Sequence, residues 1–307
     1  MFLALAGCGR PHPRRLGEAF LTDQDGNAVT VVDLVHRHVL ATIPVGGKPA
    51  GIAMSRDGSR AYVTSPSTQY VSIIDTASRK VVRTMPAPGG PLGIAVAPDG
   101  KRVFVADWYA SRVLELNPET GATSRILAVG QSPSGMAVTP DGRSLVVADR
   151  LSNAISLVDL RQGREVARIA VGKHPFGVTL DTSGRFAYVA NVESNSLSIV
   201  DLAARRKVAD IGVGSHPYAV GLANDRAFTT DELGSTVTAV DLSSRKVLTH
   251  ISVGDYPEGI GLDPVTGLVV VANWFSDTAS LIDPKSLRVV GTIPAGSSPR
   301  AFGTFLR

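Results

Sequence analysis

The chain has a single cysteine, Cys8, among 307 residues. That excludes a disulfide within the chain, a cysteine-built metal cage and a paired-thiol haem attachment. Charged residues reach only 19%, fewer than a disordered chain needs. No apolar run approaches the roughly 18 residues of a membrane helix. Histidines number six, too few for a multi-copper centre. Neither a Gly-x-Ser-x-Gly elbow, a phosphate loop nor a dinucleotide fingerprint occurs, and no cofactor is implied. Aromatics are scarce at 6%, with two tryptophans, so the place where they gather carries information.

Glycine (31) and proline (19) are frequent, and they are spread evenly, as many short strands joined by tight turns require. Pro49, Pro91, Pro133, Pro175, Pro217, Pro257 and Pro299 recur every 42 residues, with one interval of 40 between Pro217 and Pro257. Within a unit the apolar alternation is two, as in Val71-Ser72-Ile73-Ile74-Asp75, which is a strand period and not a helix period. A 40–45-residue unit of four strands is the blade of a β-propeller. Strand a is small at alternate positions, as crowding at an axis demands. An acid or amide ends every strand c (Asp33, Asp75, Asn117, Asp159, Asp201, Asp241, Asp283). A catalytic role is not repeated seven times, so these side chains are expected to bond amides of the following turn.

Six complete units run from Ala50 to Pro299. Residues from Glu18 to Pro49 supply strands b, c and d without a strand a, and Arg300 to Leu306 supply a strand a alone. The expected fold is all-β, a seven-bladed propeller of four-stranded antiparallel blades. Its C-terminal strand a joins the N-terminal strands b–d, which hides edges otherwise open to aggregation. The propeller occupies 18–307, and 1–17 is a separate leader. There Leu5-Ala6-Gly7-Cys8 reads as a lipobox, with Cys8 the lipidation site and Gly9 to Arg15 a basic tether. Met1 to Ala4 are too few for a secretion signal, so either the natural start lies upstream or the cysteine is incidental. With a lipid at Cys8 the protein is expected at the periplasmic or cell-surface side of a membrane, touching it only through that anchor.

Ala61-Tyr62-Val63-Thr64 and Ala187-Tyr188-Val189-Ala190-Asn191, each followed by a strand c ending in Asp and a closing Val-Gly-x-x-Pro or its variant, resemble the YVTN-type, YncE-like propeller repeat. The resemblance spans about 18–307. It implies the fold, and a range of roles that includes periplasmic proteins, surface-layer modules, lactonases and the non-haem parts of redox enzymes. Fold alone does not choose among these.

In a propeller the b–c loops and d-to-a crossings share one face, here the top, and the other turns share the bottom. The bottom is basic (Arg60, Arg79, Arg185, Arg205, Arg245 and others). Its acids and its want of aromatics favour solvated hairpin ends over a nucleic-acid surface. The top is acidic and aromatic. Its b–c loops bring Asp107, Trp108, Tyr109, Asp149, Arg150, Asn191, Glu193, Asp231, Asn273 and Trp274. Its crossings bring His174, Phe176, His216, Tyr218, Tyr256, Glu258 and Arg300. These are taken as residues that do not repeat, free to bind a protein partner or small ligand around the channel. His174 and His216 share a slot in adjacent blades, and with Glu258 or Asp231 they make a minimal metal or base set. Two loop histidines bonding backbone carbonyls are the simpler account. A non-catalytic, monomeric binding protein of the cell envelope is the first expectation. A lactone hydrolase using His174, His216, Glu258 and Arg300 is the second, and an accessory subunit of a periplasmic redox enzyme the third.

Overall fold

The computed structural model describes residues 16–307. The lipobox, Cys8 and the basic tether lie outside the described residues. Seven sheets of antiparallel strands surround an axis, and the innermost strand of each touches that of the next. Blade 5 is representative, with strand a Pro175–Leu180, b Phe186–Asn191, c Ser196–Asp201 and d Arg206–Gly212.

Strand b is buried on both sides because each blade lies between two others, whereas strand d is the outer edge and mostly exposed. One residue of every strand d points inward: Ile43, Met85, Leu127, Ile169, Ile211, Ile251 and Ile293 are all buried. The core is accordingly divided into seams between neighbouring blades. The largest seam joins blades 7, 1 and 2 through Val270, Phe20, Phe305 and Ile52. A bulge between strands c and d recurs in each blade, as between Ile199 and Val200, and adds local twist. The strand-c acids behave as expected. Asp33, Asp75, Asn117, Asp159, Asp201, Asp241 and Asp283 each accept turn amides two or three residues ahead. Amide bonds hold Asp75, Asp159, Asp201 and Asp283 below the usual carboxylate range, and the Ser244 hydroxyl and amide bring Asp241 to about 2.

Ring closure follows the expected pairing and adds a detail. The Arg300 amide donates to Thr22 O (2.7 Å), Phe20 to Phe305 O (2.9 Å) and Arg307 to Glu18 O (2.9 Å). Three successive amides, Leu16, Gly17 and Glu18, converge on the Arg307 carbonyl. The buried Glu18 carboxylate receives the Arg307 guanidinium at 3.0 Å and Arg79 of blade 2 at 2.8 Å. Between its paired ends the closing strand leaves blade 1. Phe302–Thr304 instead run parallel to Gly51–Met54, strand a of blade 2. Gly303 allows this with φ +108°, where a side chain would be strained and a β-carbon would strike the Ile52 carbonyl. The last strand therefore fastens two blades at once.

On the bottom, arginines are used between blades. Arg125 donates to Leu160 O, Arg205 to Val166 O, Arg245 to Val208 O and Arg37 to Val290 O, all at 3.1–3.3 Å. Arg60 and Arg185 pair with the strand-c acids Asp75 and Asp201. Much of the basic charge thus serves the ring itself.

Deleting residues 300–307 is expected to lower the melting temperature by roughly 10 °C or more, because two blades lose a strand and the largest core seam opens. Calorimetry of the truncated chain checks this, and a transition matching the full-length protein contradicts the closure.

Candidate partner-binding face

The b–c loops and crossings meet on one face. The first loop residue of six blades donates its amide to the residue before the crossing proline: Gln24 to Ser298, Trp108 to Gly90, Arg150 to Ser132, Val192 to His174, Glu232 to His216 and Trp274 to Tyr256, at 2.9–3.2 Å. This ladder brings the sequence-derived site residues together, but they fall into tiers with different duties.

The first tier ends strand b. Asp23, Ser65, Asp107, Asp149, Asn191, Asp231 and Asn273 occupy equivalent positions, and all are buried. All but Ser65, whose buried hydroxyl has no partner among the described residues, turn inward to satisfy backbone amides of the crossing or hydroxyls of strand c. Asp107 accepts from the Gly90 amide (2.9 Å) and from Arg112 (2.9 Å). Asn191 accepts from the Gly172 amide (3.1 Å) and donates to Ser198 (2.9 Å). Ser156 donates to Asp149 (2.6 Å), Thr238 to Asp231 (2.5 Å), and Asn273 donates to Ser280 (2.9 Å). Taken from the sequence as variable loop residues, Asp107, Asp149, Asn191, Asp231 and Asn273 are repeated architecture. Burial pushes Asp149 up to about 7 and also raises Asp231, against the hydroxyls bonded to them.

The second tier is the slot before each crossing proline. Lys48, Ser132, His174, His216, Tyr256 and Ser298 are all left-handed, with φ between 50° and 56°. The slot amide is held by a loop side chain of the preceding blade, Asn153 for His174 and Asn195 for His216. The side chains are therefore free to vary. His174 Nδ1 lies 2.8 Å from the Glu193 carboxylate, and His216 Nδ1 lies 3.1 Å from Ser215 Oγ. Each histidine has its own neighbour, in place of the backbone carbonyls expected. Among the described residues no three His, Cys, Asp or Glu side chains gather as a metal site.

The third tier follows the prolines and plugs the axis. Phe176 stacks on Tyr218 (3.9 Å between centroids), and Phe302 meets Phe176 edge-on (5.2 Å). Arg300 grips the fully buried Glu258 with two bonds of 2.5 and 2.6 Å, donates to the Tyr218 hydroxyl, and lies over the Trp274 ring. Burial raises Glu258, opposed by Arg300, and burial lifts Tyr218 well above its ordinary value. Four residues expected to line an open mouth, Phe176, Tyr218, Glu258 and Arg300, close it.

What remains exposed is the outer part of the loops. The second residue beyond strand b is Tyr109 (82% exposed), Leu151 (53%), Leu233 (50%) and Phe275 (57%) in blades 3, 4, 6 and 7. Leu151 and Leu233 sit at the centre of short 3₁₀ turns, Arg150–Ser152 and Glu232–Gly234, which lift them outward. Phe275 stacks on Trp274 (4.4 Å) and touches Tyr256 (4.3 Å). Trp108 is half-buried, with Arg150 over its ring at 5.8 Å. Glu232, pushed to about 7 by burial and by Glu258, lies inside this ring. Sequence reasoning missed Leu151 and Leu233 as contact residues. Counting two positions past each strand-b terminus finds them, because the turn geometry there is shared.

Two stability predictions follow from the buried acids. Well below pH 3.8 Asp149 is neutral in both states. As pH rises towards 7 the unfolded chain ionises first, so the native state loses stability across that window. Asn stands at this position in two other blades, so Asp149→Asn is expected to gain about 2–4 kcal/mol over the wild type between pH 4 and 8. Denaturant titration at several pH values measures it, and a pH-independent difference rules it out. Separately, Arg300→Met strands the Glu258 carboxylate and is expected to cost about 3–5 kcal/mol, most of it recovered by Arg300→Met with Glu258→Leu. A double variant no more stable than the single one contradicts that account.

Comparison with known proteins places the chain among propellers. Residues 6–85 match the family model of the YNCE-like beta-propeller, and residues 118–211 match that of the Lactonase, 7-bladed beta-propeller. No curated protein matches the sequence. Among solved structures, hydrazine synthase of Kuenenia stuttgartiensis is 21% identical, with a TM-score of 0.74 over 83% of this chain and 89% of that one. A functionally unknown protein from Desulfotomaculum acetoxidans DSM 771 is 16% identical, with a TM-score of 0.79 over 92% of this chain and 98% of its own. The dihydro-heme d1 dehydrogenase NirN, in complex with DHE, is 19% identical, with a TM-score of 0.70 over 94% of this chain and 66% of its own. At these identities the structures share the fold alone. The chain is a seven-bladed β-propeller, similar over residues 6–85 to the YNCE-like propellers and over residues 118–211 to the lactonase propellers.

Proposed function

We propose that this propeller is a cell-envelope binding protein that holds a protein partner on its top face and performs no chemistry there. The observation that carries the reading is the ring of Tyr109, Leu151, Leu233 and Phe275, four large apolar side chains exposed at one loop position. Apolar groups gathered on one face and rimmed by charge mark an interaction surface. The rim is supplied by Asp25, Lys48, Lys173, Glu193, Asp255 and Asp277, all exposed. The floor inside the ring is plugged, which suits a broad partner better than a small ligand that needs a deep pocket. Trp108, Trp274 and Arg150 provide the residue types that anchor such contacts. Anchoring at Cys8 and a periplasmic or surface location belong to the same reading. It also accommodates the subunit role, because structural neighbours named as hydrazine synthase and NirN carry the same fold.

Lactone hydrolysis is the second reading, favoured by the match of residues 118–211 to the lactonase propeller model. Its candidate groups are changed by the geometry. Glu258 and Arg300 neutralise each other in the plug, while Glu232 remains at the surface with a carboxyl poised near neutrality.

Affinity capture of partners from the native envelope, compared between the wild type and a Tyr109→Ser, Leu151→Ser, Leu233→Ser, Phe275→Ser variant, tests the first reading. The variant is expected to retain its melting temperature and to lose at least about tenfold of the capture. Equal capture by the two proteins rejects the face. Turnover on a lactone panel that vanishes in Glu232→Gln or His174→Ala supports hydrolysis instead.

A further inference from the structure

Below its aromatic plug the propeller axis is hollow. Two cavities of about 300 and 490 Å³ share Thr179, Leu180, Val220, Ile260, Gly303 and Thr304 in their walls, so they form one channel. Its upper end stops at Phe176, Tyr218 and Phe302. Its lower end opens among the a–b turns, at Ser55–Gly58, Thr182 and Pro264. Among the described residues it runs from this aromatic plug to an opening on the bottom face.

The wall is more apolar than polar. The last apolar residue of strand a forms a collar near the mouth, of Val96, Val138, Leu180, Leu222 and Leu262. The first four are only half-buried, and Leu262 is 37% exposed. Val96, Val138, Leu180 and Leu222 each pack one side against a seam between blades and present the rest of their surface to the channel. The polar side chains of the wall are occupied elsewhere. Thr179 donates to the Val220 carbonyl (2.5 Å), and Thr304 accepts from the Met54 amide (3.0 Å). Asp181 is taken by the Phe186 amide and Ser183, and Asp57 by Ser55 and Ser59. At the mouth Arg56 is exposed and has no acidic partner among the described residues. The Arg307 guanidinium is engaged with Glu18.

We propose that this blind channel takes the single alkyl chain of an amphiphile, admitted tail-first from below, with the polar head left at the mouth beside Arg56. Each methylene moved from water to the collar tightens binding by about fourfold. A charged or sugar-like ligand would find no side-chain partner inside and would lose its hydration. The plug sets an upper limit on chain length. The site lies on the face opposite the partner surface and does not depend on that reading.

The test is calorimetric titration of the purified protein with dodecanoate and with dodecanoyl lysophosphatidylcholine, both below their micelle concentrations. Saturable binding of one chain per protein is expected. Leu262→Glu, at an exposed position that the fold tolerates, should weaken it by about tenfold or more. Leu222→Asp is the second probe, and both variants are checked by melting temperature. Phe275→Ser on the top face should leave the affinity unchanged. Preference for dodecanoate that disappears in Arg56→Gln identifies a carboxylate head, and preference for the lysophospholipid identifies a phosphate head. Absence of saturable binding, or equal affinity in Leu262→Glu and wild type, overturns the proposal and leaves the channel to water.

Discussion

Every other contact in this propeller depends on the pairing of residues 300–307 with Glu18–Asp23. Apart from the aromatic plug at the axis, blades pack mainly against their neighbours, so an unpaired seam would turn the ring into an open arc with two raw edges. The join connects the two ends of the described chain, yet the entropic cost of closing so long a loop grows only logarithmically with length. It is met by paired backbone groups, by the amides gathered on the Arg307 carbonyl, and by a buried carboxylate shared by Arg307 and Arg79. The excursion of Phe302–Thr304 onto blade 2 extends the join across a second interface.

The fold was legible because its information is periodic. Prolines, small residues on strand a and an acid or amide ending strand c recur seven times, and each recurrence has one physical reason. The site was less legible for the same cause. Asp107 and Asn273 were set apart as variable, although the 42-residue period also reaches Asp149 and Asn191, and Ser65 breaks the series. Their inward turn is decided by backbone amides of the crossing, which no local pattern displays. Glu258 and Arg300 stand one repeat apart, which places them in adjacent blades, but that their side chains turn inward and pair in the plug is set by burial at the axis. The outward tilt of Leu151 and Leu233 comes from a 3₁₀ turn that composition does not announce.

The two sets of repeated acids work in opposite directions. Those ending strand c are solvated and held by amides, and they favour the folded ring once ionised. Those ending strand b are sealed in the blade, where burial makes ionisation costly for Asp149 and Asp231. The molecule thus places its comfortable charges on the bottom turns and its uncomfortable ones beneath the top loops. This arrangement leaves the top surface to apolar side chains and a few loop charges, and it concentrates inter-blade arginine bonds below.

The chain enters the propeller at the lower rim, where Leu16 bonds Arg307 and strand b of blade 1 begins its climb to the top. A six-residue strand rises about 20 Å. The mouth of the blind channel and the apolar ring therefore stand about one blade height apart, so an occupant of one face would not touch an occupant of the other.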